Sequence, residues 1–482
     1  MRHKKPASGY RQPVARAVSA ATSFGLVGVL AAGCLGGGND AATDPNKNAD
    51  AKEYTLTITS NAIADGKNAI GAKWIEEWVI PQFEKAQKKK GITAKVKFEP
   101  QGVDDAKYKS KIGLDLDSGK GADVIDIDGI WVGEFAESEY ILPLEKVVGA
   151  DSMEKWDGWK QIPDNVEANG TYKGDKYGVP KGTDGRVVFY NKNVFKKAGL
   201  PGDWQPKSWA DIIDAAEKIK KKAKGVTPLQ INAGTAMGES TTMEAFLPLL
   251  AGTGNEIFQD GKWQGDTDAI RDVLGVYEDT YQGGLGDATL QKEAQGRQKA
   301  QERFSKDKVG IMMEGDYFWR DVVSPGSSVA PMKNRDSDVG FAKIPSMKPG
   351  SGVDGQDFVS MSGGGTQVIN PNTKYPQQAW ELMQFMGSAK AVKEEVGDTP
   401  RITQREDVNS DILADDPLLS FIAEDVVPVT RFRPSDGKYV KVSEALQKAT
   451  YAVVEGKSAA EAAKEYQKAL EDIVGADKVS GS

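Results

Sequence analysis

Histidine and cysteine are almost absent from this sequence of 482 residues, which contains one of each, His3 and Cys34. A zinc site built from these ligands needs several of them, and a single cysteine cannot form a disulfide within the chain. A Ser-His-Asp triad or a Cys-His pair would have to use His3, which lies in a basic segment that we expect to be removed. The composition therefore argues against the common hydrolases that use a serine or cysteine nucleophile.

Basic residues are fewer than acidic ones, 62 against 70, and the formal net charge at pH 7 is −8. A nucleic-acid-binding protein needs a net basic face, so this charge argues against nucleic acid as a partner. The chain is 27% charged and 39% apolar, which is typical of a soluble globular protein and unlike a disordered chain or a membrane bundle. Its length favours two lobes over one simple core.

The N-terminal segment has the pattern of an export signal. Basic residues between Arg2 and Arg16 precede an uncharged run, residues 17–33, that is rich in Ala, Val, Leu and Gly. A transmembrane anchor is the alternative, although a run of this length lies at the lower limit for crossing a bilayer. The run ends in Ala31-Ala32-Gly33-Cys34 and resembles a bacterial lipoprotein signal. That resemblance implies cleavage before Cys34, lipidation of this cysteine and attachment to the extracellular face of the cell membrane.

Beyond Cys34 the sequence predicts a tether followed by a folded body. Residues 34–53 are polar and contain almost no side chain that could enter a core, so we expect them to be flexible. Alternating apolar and polar residues then predict strands, and apolar residues at helical spacing predict helices between them. The order strand, helix, strand, helix, strand over residues 54–127 is typical of a mainly parallel α/β sheet, and a similar pattern restarts near Val187.

Three short motifs resemble known ligand sites but are incomplete. Asp115, Asp117 and Gly119 begin like a calcium loop, yet Asp126 stands where the bidentate Glu is required. Residues 456–458 resemble the end of a phosphate loop without its first glycine, and residues 363–365 lack the spacing of a dinucleotide site. We therefore expect no metal and no cofactor, and we interpret Gly364 as a point of backbone flexibility or of close approach by a ligand.

Acidic and aromatic residues follow two of the predicted strands directly. Asp128 and Trp131 come after the strand that ends at Ile127. Sugars stack their C–H groups on aromatic rings and offer hydroxyls to carboxylates, so this composition predicts a carbohydrate site. Paired carboxylates could also serve a glycosidase, but sequence spacing does not show which acids face each other. After the strand that ends at Met313, the candidate residues are Glu314, Asp316, Tyr317 and Trp319.

Several segments, taken in order, resemble the extracellular solute-binding proteins of ABC importers, in the carbohydrate-binding group that includes maltose-binding protein. The segments are residues 121–128 with Trp131, residues 177–191 followed by 194–201 and 208–209, residues 308–315, and residues 363–370 leading into 379–380. The resemblance implies a two-lobed type II periplasmic-binding-protein-like fold, each lobe a mainly parallel sheet flanked by helices. It places three crossing segments near residues 183–186, 359–362 and 400–404, one lobe at 54–183 plus 360–400, and the other at 184–359 plus 401–482.

The same resemblance implies a function. An oligosaccharide would bind between the lobes, the lobes would close on it, and the permease of an importer would receive it. We expect a monomer without catalytic activity. The alternatives are a surface-tethered glycoside hydrolase and a binding protein for a solute other than a sugar. The residues that the resemblance adds to the candidate site are Asn61, Asp184, Glu239, Arg401 and Arg433.

Overall fold

The computed structural model describes residues 44–64, 67–103, 105–397 and 399–481, without the side chain of residue 106. The predicted export signal, the lipidation site Cys34 and residues 34–43 of the predicted tether lie outside this range. Within it, every helix is too short or too polar to span a bilayer.

One five-stranded sheet forms the first lobe. Parallel pairs join Glu53–Ser60 to Thr93–Pro100 and to Val124–Asp128. Gly365–Ile369 runs antiparallel to both of its neighbours. Alternate residues of a strand face opposite sides of the sheet, so Val124 and Ile125 pack in different apolar clusters. The strands lie in the order Thr93–Pro100, Glu53–Ser60, Val124–Asp128, Gly365–Ile369 and Gly178–Pro180.

A four-stranded sheet forms the second lobe. Both central strands, Arg186–Asn191 and Val309–Gly315, are buried along their whole length, as expected for strands covered on both faces. The order is Val339–Ala342, Arg186–Asn191, Val309–Gly315 and Thr227–Gln230.

Both sheets are mixed, which refines the predicted mainly parallel arrangement. Arg186–Asn191 and Gly365–Ile369 are each antiparallel to both neighbours. The chain enters each of these two strands directly after it crosses from the other lobe. Each strand therefore runs opposite to its neighbours, which the chain enters through helical connections. The remaining strands are short; the third sheet consists of Ile344–Pro345, Phe358–Ser362 and Thr430–Phe432, and the peripheral strands are Thr171–Tyr172, Asp175–Lys176, Phe258–Gln259, Lys262–Gln264 and Val479–Ser480.

Helices cover both sheets, and local sequence sets their ends. Ser208 accepts a hydrogen bond from the Asp211 amide, and Ser458 with Glu461 forms a complete capping box. The helices of eight or more residues are Ile80–Lys89, Asp105–Asp117, Trp209–Lys222, Asp268–Tyr281, Gly296–Ser305, Pro376–Met386, Ala389–Val396, Tyr439–Val454 and Ala459–Val474. The shorter helices include Ala69–Lys73, Val132–Glu137, Leu144–Val148, Ala150–Glu154, Asp164–Glu167, Lys192–Ala198, Leu247–Gly252, Arg335–Asp338, Glu406–Ile412 and Pro417–Phe421.

The three expected crossing segments lie side by side. The amide of Thr183 donates to the carbonyl of Ile402 at 3.4 Å. The amide of Arg186 donates to Ser360 Oγ at 3.0 Å. These bonds tie the first segment to the third and to the second, while the exact lobe boundaries stay a prediction.

The expectation of a flexible tether is wrong for its last part. Gln377 donates to the carbonyl of Pro45 at 2.9 Å, Gln378 donates to that of Asn48 at 2.8 Å, and Asn48 donates to that of Lys374 at 2.9 Å. Residues 44–51 are polar, and composition alone suggested mobility, but their backbone and amide groups find partners at the start of the helix Pro376–Met386.

Candidate functional site

A cleft of about 740 Å³ opens at one edge of the first sheet. The carboxyl ends of Glu53–Ser60, Val124–Asp128 and Gly178–Pro180 reach this edge, and so does the amino end of the antiparallel Gly365–Ile369. Ligands of α/β proteins collect at such an edge because several loops converge there. Six of the predicted site residues line the cleft, namely Asn61, Asp128, Trp131, Asp184, Gly364 and Arg401.

Asn61 organises a neighbouring loop. Its Nδ2 donates to Asp105 Oδ1 at 2.8 Å and to the Val103 carbonyl at 3.0 Å, and its Oδ1 accepts from the Val103 amide at 3.2 Å. The amide group is thus engaged on both sides by the protein. Asn61 shapes the wall of the cleft through these bonds.

Trp131 lines the cleft but is largely buried. The residue is 7% exposed, and its ring packs against Tyr108 and Phe135 with centroid distances of 6.1 and 6.3 Å. Most of the ring therefore belongs to the core of the first lobe, and only a small part of the residue is open to a ligand.

Gly364 lies where two backbones meet. A Cβ atom on it would come within 2.4 Å of the Gly182 carbonyl oxygen. Close approach of the first crossing segment therefore explains why this position is glycine, in addition to its place in the cleft wall.

Arg433 connects two acids at the border of the cleft. Its Nη2 lies 3.6 Å from Asp128 Oδ1, and its Nη1 lies 3.3 Å from Glu239 Oε1. Burial raises the pKa of Asp128, and the positive charge of Arg433 opposes that shift. Glu239 also accepts from Tyr439 Oη and Ser443 Oγ, each at 2.6 Å. Arg433 and Glu239 thus stand next to the cleft, and Asp128 links them to it.

Asp184 is held by the crossing segments themselves. It accepts from the Gly363 amide at 2.7 Å and pairs with Arg186, whose Nε lies 3.1 Å from Glu244 Oε2. Burial alone would raise the pKa of Asp184, but the Arg186 guanidinium, the Gly363 amide and the charge of Arg433 together outweigh burial, and the pKa is lowered. A charged Asp184 is therefore a fixed part of the cleft wall.

Three predictions after the strand Val309–Gly315 are wrong, because the chain turns inward there. Glu314 is fully buried and forms two bonds with Arg297, at 2.5 and 3.1 Å. Asp316 is 1% exposed and accepts from Arg320 at 3.2 Å. Trp319 lies in the core, where the Arg335 guanidinium carbon is 3.8 Å from its ring centroid.

Tyr317 is half-buried and is not among the residues that line the cleft. Its hydroxyl donates to Glu314 Oε2 at 2.6 Å, and the guanidinium of Arg297 lies 4.9 Å from its ring centroid. Tyr317, predicted as a site residue, therefore does not reach the cleft in this arrangement of the chain.

The sequence did not lead us to predict two ion pairs that lie in the cleft. Lys181 Nζ lies 2.7 Å from Asp126 Oδ2, and Arg401 Nη2 lies 2.6 Å from Glu395 Oε1. The remaining oxygen of Asp126, Oδ1, is buried and has no hydrogen-bond partner within the described residues. The signal for Asp126 was available: a carboxylate interrupts an otherwise apolar strand two residues before Asp128. Across the described ranges, acidic residues do not gather into a group that could hold a metal ion.

Comparison with known proteins identifies the family. The sequence pattern of the family described as bacterial extracellular solute-binding protein matches residues 66–393. This chain belongs to that family. The solute-binding protein is 22% identical over 344 residues to a putative binding protein of Brucella abortus, a match that covers 70% of this chain and 72% of the other.

Solved structures agree with the fold of this solute-binding protein. An ABC transporter solute-binding protein from Thermotoga lettingae, bound with α-D-tagatose, is 25% identical with a TM-score of 0.63, covering 86% of this chain and 99% of that one. The sugar-binding protein MalE from Xanthomonas citri is 18% identical with a TM-score of 0.69, covering 87% and 97%. The solute-binding protein thus has the two-lobed type II fold of the maltose-binding-protein-like group.

Proposed function

We propose that the protein captures a neutral saccharide in the cleft between its lobes and delivers it to the permease of an ABC importer. The observation that carries the proposal is the balance of charge in the cleft. Lys181 pairs with Asp126, Arg401 pairs with Glu395, and Asp184 pairs with Arg186. A ligand with a formal charge would compete with one member of these pairs, whereas hydroxyl groups can donate to the acids and accept from the bases.

Asp126 supplies the most specific contact in this proposal. Among the residues that the structure describes, its Oδ1 is a buried acceptor without a partner, and such atoms are rare unless a ligand or water satisfies them. A sugar hydroxyl bound there would donate to Oδ1, and the accessible part of Trp131 would contact a sugar ring. Asp128 and Arg401 would complete the polar contacts. The tagatose complex of the Thermotoga relative supports this ligand class.

The lipid anchor belongs to the same proposal. The signal-like segment before Cys34 and membership of an extracellular family support attachment of this cysteine to the outer face of the cell membrane. Binding without chemical change of the ligand follows from the delivery role, and the protein would act as a monomer.

A thermal-shift screen against neutral glycans, followed by titration calorimetry, tests the proposal. A true ligand raises the melting temperature, and the rise increases with the ratio of the ligand concentration to the dissociation constant. Asp126→Asn should weaken binding by about 10-fold, since the amide accepts more weakly than the carboxylate. Asp115→Asn, on the outer face of the helix Asp105–Asp117, is the matched control. The proposal is wrong if none of the glycans shifts the melting temperature; recovery of cleaved glycan would favour the hydrolase.

A further inference from the structure

A short segment of the second lobe reaches over to the first lobe beside the cleft. We call residues 433–437 the clasp; it connects the strand Thr430–Phe432 to the helix Tyr439–Val454. Ser435 Oγ donates to the Gly129 carbonyl at 3.3 Å. Arg433 adds the contact with Asp128 described above. The clasp thus connects the two lobes by direct contacts between their residues.

The first lobe has a seat that fits the clasp. A Cβ atom at Gly133 would lie 1.3 Å from the Ser435 carbonyl oxygen, so no side chain fits between the two backbones. Gly133 lies inside the helix Val132–Glu137, where glycine costs about 1 kcal/mol relative to alanine. Its backbone conformation does not demand glycine, since its φ is not positive. Contact with the clasp is the physical reason for a glycine at this position.

The clasp is fastened to the second lobe as well. Arg433 pairs with Glu239, and the Glu239 carboxylate also accepts from Tyr439 and Ser443 at the start of the following helix. This ring of bonds holds the clasp to the body of the second lobe. Movement of the lobes apart would therefore separate the clasp from Gly129 and Gly133 and leave it attached at Glu239.

The position of the clasp determines what the cleft can hold. Asp128 and Trp131 line the cleft, and they flank the seat. A Cβ atom on Gly363, also in the cleft wall, would lie 3.4 Å from Arg433 Nη2. Arg433 therefore occupies the space beside Asp128 and Gly363. A chain of sugar rings cannot continue past Asp128 in this direction while the clasp is seated.

We propose that the clasp closes the cleft at its Asp128 and Trp131 end and restricts the ligand to a short saccharide. This inference rests on the proposed function for its ligand class. With the clasp in place, the cleft is closed at one end, and Arg433 is the residue that closes this end.

Gly133→Ala tests the inference, because alanine is favourable in a helix and the added Cβ displaces the clasp. Gly275→Ala is the matched control: it lies inside the helix Asp268–Tyr281 with open space around a Cβ atom. Each protein is titrated with neutral glycans of one to six rings in each linkage series, and small-angle scattering of the ligand-free proteins reports lobe separation. Ser435→Ala, which removes one bond without a clash, should act in the same direction to a smaller extent.

We expect the wild type and Gly275→Ala to bind short glycans at least about 10-fold more tightly than the longest of the same series. In Gly133→Ala this preference should fall to about 3-fold or less, with an increased radius of gyration. Binding of all lengths with equal affinity by the wild type, or an unchanged length preference in Gly133→Ala, overturns the inference and leaves saccharide binding intact. Absence of any glycan binding to the wild type rejects the proposed function, and the length restriction with it.

Discussion

The guanidinium of Arg433 lies between the carboxylates of Asp128 and Glu239, at 3.6 and 3.3 Å. Asp128 belongs to the first lobe and Glu239 to the second, so one cation balances an acid from each side of the cleft. Without it the two acids would repel each other across the same gap. The cleft border is thus stabilised by opposite charges that the protein itself supplies.

Replacing Arg433 by Gln should destabilise the fold by about 1–2 kcal/mol, because both acids lose their partner and both are partly exposed to solvent. Urea unfolding measures the change. Arg431→Gln is the control two residues earlier; the partners of Arg431, Asp354 and Glu256, are more exposed, and we expect a loss below about 1 kcal/mol. Equal losses in the two variants would show that Arg433 has no special role at the border.

Trp131 should contribute to both binding and stability. Trp131→Phe keeps most of the core packing and reduces the aromatic surface available to the cleft, so we expect glycan affinity to fall about 5- to 10-fold in titration calorimetry. Trp209→Phe is the control, since Trp209 is equally buried in the second lobe and donates to the Pro345 carbonyl. Loss of glycan affinity in both variants would mean that the effect is one of stability and not of contact.

Asp316 should make stability depend on pH. Burial raises its pKa to about 6, above the value of an unfolded aspartate, so folding favours the protonated form. This stabilisation is complete below about pH 4 and is lost as the pH rises through about 6. Relative to Asp316→Asn, the wild type should lose about 2 kcal/mol of unfolding free energy between pH 4 and pH 7.

Chemical unfolding across this pH range measures the Asp316 effect. Asp321→Asn is a suitable control because Asp321 pairs with the same Arg320, at 3.2 Å, but is half exposed. Its difference from the wild type should change much less with pH. A constant difference between wild type and Asp316→Asn would show that Asp316 is charged throughout.

Glu314 and Asp128 should give opposite patterns. Glu314→Gln removes the buried partner of Arg297, so we expect a loss of about 3 kcal/mol in unfolding free energy and glycan affinity within about twofold of wild type. Asp128→Asn should lower glycan affinity about 10-fold with a smaller effect on stability. A strong loss of glycan affinity in Glu314→Gln would show that Glu314 takes part in ligand binding.

Sequence patterns predicted the elements well because their signals are local. Alternation marked the strands Glu53–Ser60 and Thr93–Pro100, and Ser458 with Glu461 marked the start of the last long helix. The direction of Arg186–Asn191 within its sheet was not local information. It depends on which lobe the chain has just left, and no spacing within the strand encodes that.

The site was predicted less completely. Asp128 and Trp131 were predicted in the cleft because residues after a strand reach the edge of a sheet, and Asp184 was predicted there from the family resemblance. The same rule failed for Glu314 and Trp319, since the loop after Met313 folds inward toward Arg297, Asp416 and Arg335. Their partners lie between 16 and 97 positions away in the chain. Lys181 and Glu395 were missed because a charged residue in a surface sequence usually faces water.

The attachment of residues 45–48 to the helix Pro376–Met386 determines which lobe a force from the N-terminal segment would act on. Asn48 and Pro45 form hydrogen bonds with residues 374–378 of the first lobe. A force transmitted through the preceding chain therefore acts on the first lobe. With the anchor proposed at Cys34, the first lobe would be the one held near the membrane, and opening and closing would move the second lobe relative to it.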